Sequence, residues 1–88
     1  MDTLETRFVG LDLHRHDVMI AAVNHKQDIV LQPQRVKLLR LARWAQQHLL
    51  PTDLVAVEAT TNTWALHDLL KPFVEQITVA YPQKVRWI

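Results

Sequence analysis

The sequence predicts a mixed α/β domain: one β-sheet with both antiparallel and parallel strands, and helices packed on it. Two observations lead there. Three apolar runs, at 6–13, 18–23 and 28–33, are separated by polar breaks of four residues each. Breaks that short join antiparallel neighbours in a meander. From Val36 the apolar period lengthens to that of a helix, and short apolar runs then alternate with helical ones; this is the signature of crossover connections between parallel strands.

Residues 6–13 read as a buried strand, followed by the polar turn His14-Arg15-His16-Asp17. Val18–Val23 is the second strand, Asn24-His25-Lys26-Gln27 a second polar break, and residues 28–33 the third strand. Pro33 suits an edge or a strand end, because proline cannot donate to a ladder. In the helix that follows, Leu38, Leu41, Ala42, Ala45 and Leu49 share one face, and Lys37, Arg40, Arg43 and Gln47 the other; Pro51 ends it. Leu54–Glu58 is a short apolar strand, and 59–63 a Thr- and Asn-rich loop able to cap the helix over Trp64–Leu70. Trp44 and Trp64 are expected in or near the core. Gln76–Ala80 is the last strand, and Pro82 suits the first position of a further helix. The order is β-β-β-α-β-α-β-(α), with the first strand central and beside the fourth.

With 88 residues, 49% of them apolar, and a net charge of +1, the chain is one globular domain without a strongly basic coat. It has no cysteine, which excludes disulfides and thiolate metal sites. The acidic, polar start at 1–6 is not a signal peptide, and no apolar run approaches the ~20 residues that span a bilayer. A cytoplasmic protein with no membrane partner is expected. The chain stops at Val85-Arg86-Trp87-Ile88, inside a helix-compatible stretch. Residues 1–88 are therefore read as a fragment, the N-terminal part of a longer domain.

Candidate chemistry centres on Asp12 and Glu58, which close the apolar runs at 7–11 and 54–57. Carboxylates are costly to bury, and acids at strand rims usually have a use there. If the two strands are parallel neighbours, the carboxylates converge and offer half of a hard-cation site, suited to metal-assisted phosphoryl transfer. The competing reading makes Asp12 a turn acid and Glu58 a partner for a helix N-terminus. The His14-Arg15-His16-Asp17 segment reads first as a solvated turn, with a contact from Arg15 or His14 to a phosphate as its functional reading. Lys37, Arg40 and Arg43 form a basic stripe, either a solvated face or a nucleic-acid contact. Lys84, Arg86 and Trp87 combine charge with an aromatic ring, as phosphate contact plus base stacking requires; Trp87 reads equally well as core for an absent partner. Thr60, Thr61, Asn62 and Thr63 could cap a helix, bind phosphate or order a metal's outer shell.

Three segments together carry a resemblance: Phe8-Val9-Gly10-Leu11-Asp12-Leu13-His14; Val55-Ala56-Val57-Glu58-Ala59-Thr60-Thr61-Asn62-Thr63-Trp64; and Val79-Ala80-Tyr81-Pro82-Gln83-Lys84-Val85-Arg86. In order and spacing they resemble the N-terminal RuvC-like (DEDD) domain of bacterial insertion-sequence transposases, the insertion sequence one-ten family. The likeness runs along nearly the whole chain. It implies a ribonuclease-H-like fold, and a DNA transposase whose four acids bind Mg²⁺ or Mn²⁺. It further implies a C-terminal domain bearing a serine for strand transfer, and a structured guide RNA as partner beside DNA. Carried over, Asp12 matches the first acid and Glu58 the second; the sequence ends before the segment holding the third and fourth. Thr61 stands where the family commonly has glycine, so the loop conformation differs if a positive φ is needed there. With two of four acids, weak metal binding and no DNA cleavage by the isolated chain are expected. So is a homo-oligomer that covers sheet surface left bare by the absent helix.

Two rival readings remain. Actin-like sugar or acetate kinases share the strand order, but they follow the first-strand acid with a Gly-rich phosphate loop, and His14-Arg15-His16 has no glycine. A decayed transposase copy kept as an interaction module would leave the carboxylates vestigial. Holliday-junction resolvases share the metal logic, but the segment from Glu58 to Trp64 favours a transposase.

Overall fold

In the computed structural model, residues 6–58 and 63–80 are described. Strands β1 (Phe8–His14), β2 (Asp17–Val23) and β3 (Ile29–Lys37) come first, then helix α1 (Leu41–His48), β4 (Leu54–Glu58), α2 (Thr63–Leu70) and β5 (Gln76–Ala80). Single 3₁₀ turns at Leu38–Arg40 and Lys71–Phe73 join β3 to α1 and follow α2. The sheet order is β3-β2-β1-β4-β5, with β1–β2 and β2–β3 antiparallel and β1–β4 and β4–β5 parallel. The first strand is central and beside the fourth, as the order of elements predicts.

Local chemistry explains both hairpins. His14 pairs with Asp17, which leaves a two-residue loop whose first residue, Arg15, has φ 60°. Tight hairpins need positive φ so that the turn matches the strands' right-handed twist. At the second hairpin the buried Asn24 carboxamide oxygen accepts from the Lys26 and Asp28 amides, both at 2.9 Å. That fold-back stands in for a backbone turn.

Two boundaries differ from the expectation. β3 runs on through Pro33 to Lys37, because it is an edge strand and its ladder slips where Gln32 and Pro33 together oppose Ala21. The bulge accommodates the missing N–H. Lys37 consequently lies on a strand and Arg40 in the 3₁₀ turn, so the expected helical stripe spans three kinds of element.

The core lies on one face of the sheet. Val9, Leu11, Val18, Ile20, Ala22, Val55 and Val57 pack there against Leu41, Trp44, Ala45 and Leu49 of the α1 region and Leu66 and Leu70 of α2. Ala42, expected inward, is exposed, and Trp64 is 62% exposed; of the two tryptophans only Trp44 is core. β1 and β4 are not buried on both faces either. Their burial alternates, leaving Phe8, Gly10, Asp12, Ala56 and Glu58 on an open face. Among the described residues, no helix is long and apolar enough to cross a membrane.

At the N-terminal ends of β1 and β4, Arg7 clamps Asp53. Its Nε and Nη2 donate to the two carboxylate oxygens at 2.9 and 2.6 Å, and Nη2 also donates to the His48 carbonyl at 2.8 Å. Asp53, 1% exposed, accepts from the Leu50 amide as well, at 2.8 Å. The hydrogen bond to Asp53 raises the Arg7 pKa, with burial opposing and the charge of Asp53 adding to it.

Candidate functional site

The β1–β4 register builds the site. Phe8, Val9, Gly10 and Leu11 lie opposite Leu54, Val55, Ala56 and Val57. One step further along both strands brings Asp12 level with Glu58. Parallel neighbours are about 4.8 Å apart, and residues at matching positions point to the same face. Both acids line one open concavity of about 450 Å³, with Gly10, Met19, Pro33 and Ala80 among its walls. A Cβ built on Gly10 would meet no atom within 4 Å, so the space over the glycine, beside Asp12, is open.

Asp12 and Glu58 are exposed rather than buried at the rim. Neither carboxylate therefore carries a burial cost; what distinguishes them is convergence. They are hard oxygen donors one strand apart, able to share a cation or bracket two. Among the described residues, no group of three or more Asp, Glu, His or Cys side chains is placed to hold a metal ion. The donor set fits a divalent cation as half a site.

The same row continues across the sheet. Asp12 pairs with Met19, Met19 with Arg35, and Glu58 with Ala80, so Arg35, Met19, Asp12, Glu58 and Ala80 stand level on the open face. The next row on this face holds Lys37, Asp17 and His14. Arg35 Nη1 lies 4.0 Å from Asp17 Oδ2, with side chains 68% and 35% exposed.

The other expected contact residues divide into groups. Arg15 is exposed at the β1–β2 tip, just past the C-terminal half of β1 that carries Asp12. Lys37, Arg40 and Arg43 gather at the β3 edge around a second concavity that shares no lining residue with the first. Thr60, Asn62, Lys84 and Arg86 lie outside the described residues. Sequence reasoning missed Arg35, whose signal was its place two residues before Lys37 on a strand that extends past Pro33. It also missed the Arg7–Asp53 clamp, whose partners are 46 residues apart.

The chain matches no known protein-family profile and no curated protein sequence.

Proposed function

We propose that this chain is a ribonuclease-H-like part of an insertion-sequence transposase, acting on DNA phosphodiesters with Mg²⁺ or Mn²⁺. The observation that carries the reading is the shared concavity of Asp12 and Glu58, each one residue past the last β1–β4 pair, Leu11 and Val57. The β-β-β-α-β-α-β order and the 3-2-1-4-5 sheet agree with it. Asp12 and Glu58 would hold the metal. A divalent ion there would supply an activated water or hydroxyl and would neutralise charge developing on a phosphodiester. The strands' own contribution is rigidity: both carboxylates stand on paired β-structure, and their spacing is set by the sheet rather than by loops.

The Arg7–Asp53 clamp sits five residues before each acid, since Arg7 precedes Asp12 and Asp53 precedes Glu58 by the same interval. It pins the register at one end of the strand pair and thereby levels the carboxylates at the other. A slip of one residue would turn Glu58 to the opposite face. The resemblance also suggests a guide RNA as partner, and the open apolar face suits a second copy of the chain.

Mn²⁺ titration of the isotopically labelled chain, read by paramagnetic broadening of amide signals, tests the metal reading. Broadening is expected to centre on Gly10–Leu13 and Val57–Glu58, with an affinity of about millimolar for so few ligands. Asp12→Asn should abolish it there. Broadening elsewhere, or an unchanged pattern in Asp12→Asn, would overturn the assignment.

A further inference from the structure

We propose that the β3 edge and the beginning of α1 form a groove for a nucleic-acid phosphodiester backbone, and that Arg35 aligns that groove with the carboxylate pair. The alignment rests on the phosphodiester reading of Asp12 and Glu58; the affinity of the groove does not.

The sequence segregates charge at this place. From Ile29 to Thr52 there is no Asp or Glu, while Arg35, Lys37, Arg40 and Arg43 all fall within it. The fold turns this stretch into a concave surface. Arg35 and Lys37, two apart on an edge strand, share a face. The 3₁₀ turn at Leu38–Arg40 carries the chain around the edge, and Arg43 follows on the first turn of α1. The four cations line a concavity of about 380 Å³ together with Trp44 and Gln47. Its floor is stiff: the buried Trp44 indole N–H donates to the Gln34 side-chain oxygen at 3.1 Å, bracing α1 against β3.

Asp17 faces this edge, opposite Lys37 and 4.0 Å from Arg35. At that distance and exposure the pair contributes little, and Arg35 can exchange it for a phosphate. Three of the four cations are arginines, whose planar forks bind phosphate oxygens two at a time.

A line of cations along a strand and helix matches a polymer of regularly spaced charge better than a flat anionic surface. The sheet supplies the spacing. Arg35 stands two strand intervals from Asp12 on one row, about 10 Å at the usual interval. A backbone winds about its axis, so successive phosphates lie farther apart than the axial rise of roughly 3.4 Å, and the span holds about one or two of them. A backbone held in the groove would thus run toward the carboxylates, with the reacting phosphate about one or two nucleotides from Arg35.

The test is fluorescence anisotropy of the full chain with a labelled mixed-sequence DNA duplex and, separately, a labelled RNA hairpin, in EDTA across roughly 50–200 mM salt. Four neutralised phosphates give an expected slope of log K against log salt of about −3.6 on DNA, a loss of roughly a hundredfold over that range. The double substitution Arg40→Ala with Arg43→Ala, both exposed positions, should lower the slope by about 1.8 with an unchanged circular dichroism spectrum. Arg35→Ala should lower it by about 0.9. Preference for DNA or for RNA would tell which backbone the groove takes, and either supports the proposal. A slope unaltered in the double variant, or binding to phosphatidylserine vesicles but to neither nucleic acid, would overturn it. Groove affinity kept while Mn²⁺ fails to bind at Asp12 would defeat the metal reading alone. Mn²⁺ bound normally while groove affinity is absent would defeat the groove alone.

Discussion

Replacing Asp53 with alanine should be among the most damaging single changes to this chain. Asp53 is 1% exposed and accepts three hydrogen bonds, two from Arg7 and one from the Leu50 amide. Bonds to charged groups contribute about 1.5–3 kcal/mol each, but they do not simply add. Arg7 keeps its bond to the His48 carbonyl, and its side chain is 16% exposed, so water recovers part of the loss. The appropriate figure is that for breaking a buried pair by removing one partner, about 3–5 kcal/mol. A domain of this length has about 4–13 kcal/mol in all, so the variant should lose about a quarter of its stability or more. Urea unfolding followed by circular dichroism at neutral pH reads the change as a lower midpoint at constant slope. Arg7→Met combined with Asp53→Leu should recover much of the loss, because it leaves neither charge buried alone. A change below about 1 kcal/mol in Asp53→Ala would refute the clamp. The pH dependence has a definite sign. Arg7 is held above its ordinary value, chiefly by the Asp53 hydrogen bond. Its contribution is therefore complete below the unfolded-state value and is lost only as pH rises through the raised one, so it stays constant through the neutral range.

Two further outcomes are expected. Arg15→Gly should stabilise the fold by about 0.5–1 kcal/mol, since φ 60° is strained for a residue with a Cβ and free for glycine. In a thermal melt that is a rise of a few degrees, and a fall would mean that the Arg15 side chain makes a native contact outweighing the strain. Phe8→Lys should reduce self-association at high concentration without unfolding the chain. Phe8 is 42% exposed and lies with Ala21, Val23, Leu54 and Ala56 around a concavity of about 560 Å³ on the open face. Light scattering that shows the parent already monomeric would remove the basis for a second copy on that face.

The element order was readable because each segment kept one period, and the neighbours β1 and β4 followed from the short hairpins and the crossover. The boundary at β3 was not. Val36 and Leu38 are apolar at a spacing that both a strand and a helix accept, and Pro33 looked like an end although a bulge on an edge strand admits it. Trp64 shows a second limit: size and apolarity suggested the core, but Leu66 and Leu70 occupy the buried face of α2. The candidate pair was legible as two rim acids, and its levelness needed the register. Arg35 and the Arg7–Asp53 clamp depend on pairings between distant segments, which no local pattern carries.

The near-neutral total charge conceals an arrangement that bears on binding. Arg35, Lys37, Arg40 and Arg43 stand at the β3 edge, while Asp12 and Glu58 stand on the central strands of the same sheet. A polyanion drawn to the first group is repelled by the second, and the two effects are only about a Debye length apart at physiological salt. If the groove takes a nucleic acid, the carboxylates oppose its binding until something neutralises them. A divalent cation at Asp12 and Glu58 removes that repulsion at the place where a phosphodiester would react, so metal and nucleic acid should bind with positive coupling. Asp12→Asn with Glu58→Gln mimics the neutralisation without a metal. In EDTA that variant should bind DNA more tightly than the parent, and added Mg²⁺ should narrow the gap between them. Weaker binding by the neutralised variant would mean that the backbone does not pass over the carboxylates, and that the acidic and basic regions serve different partners.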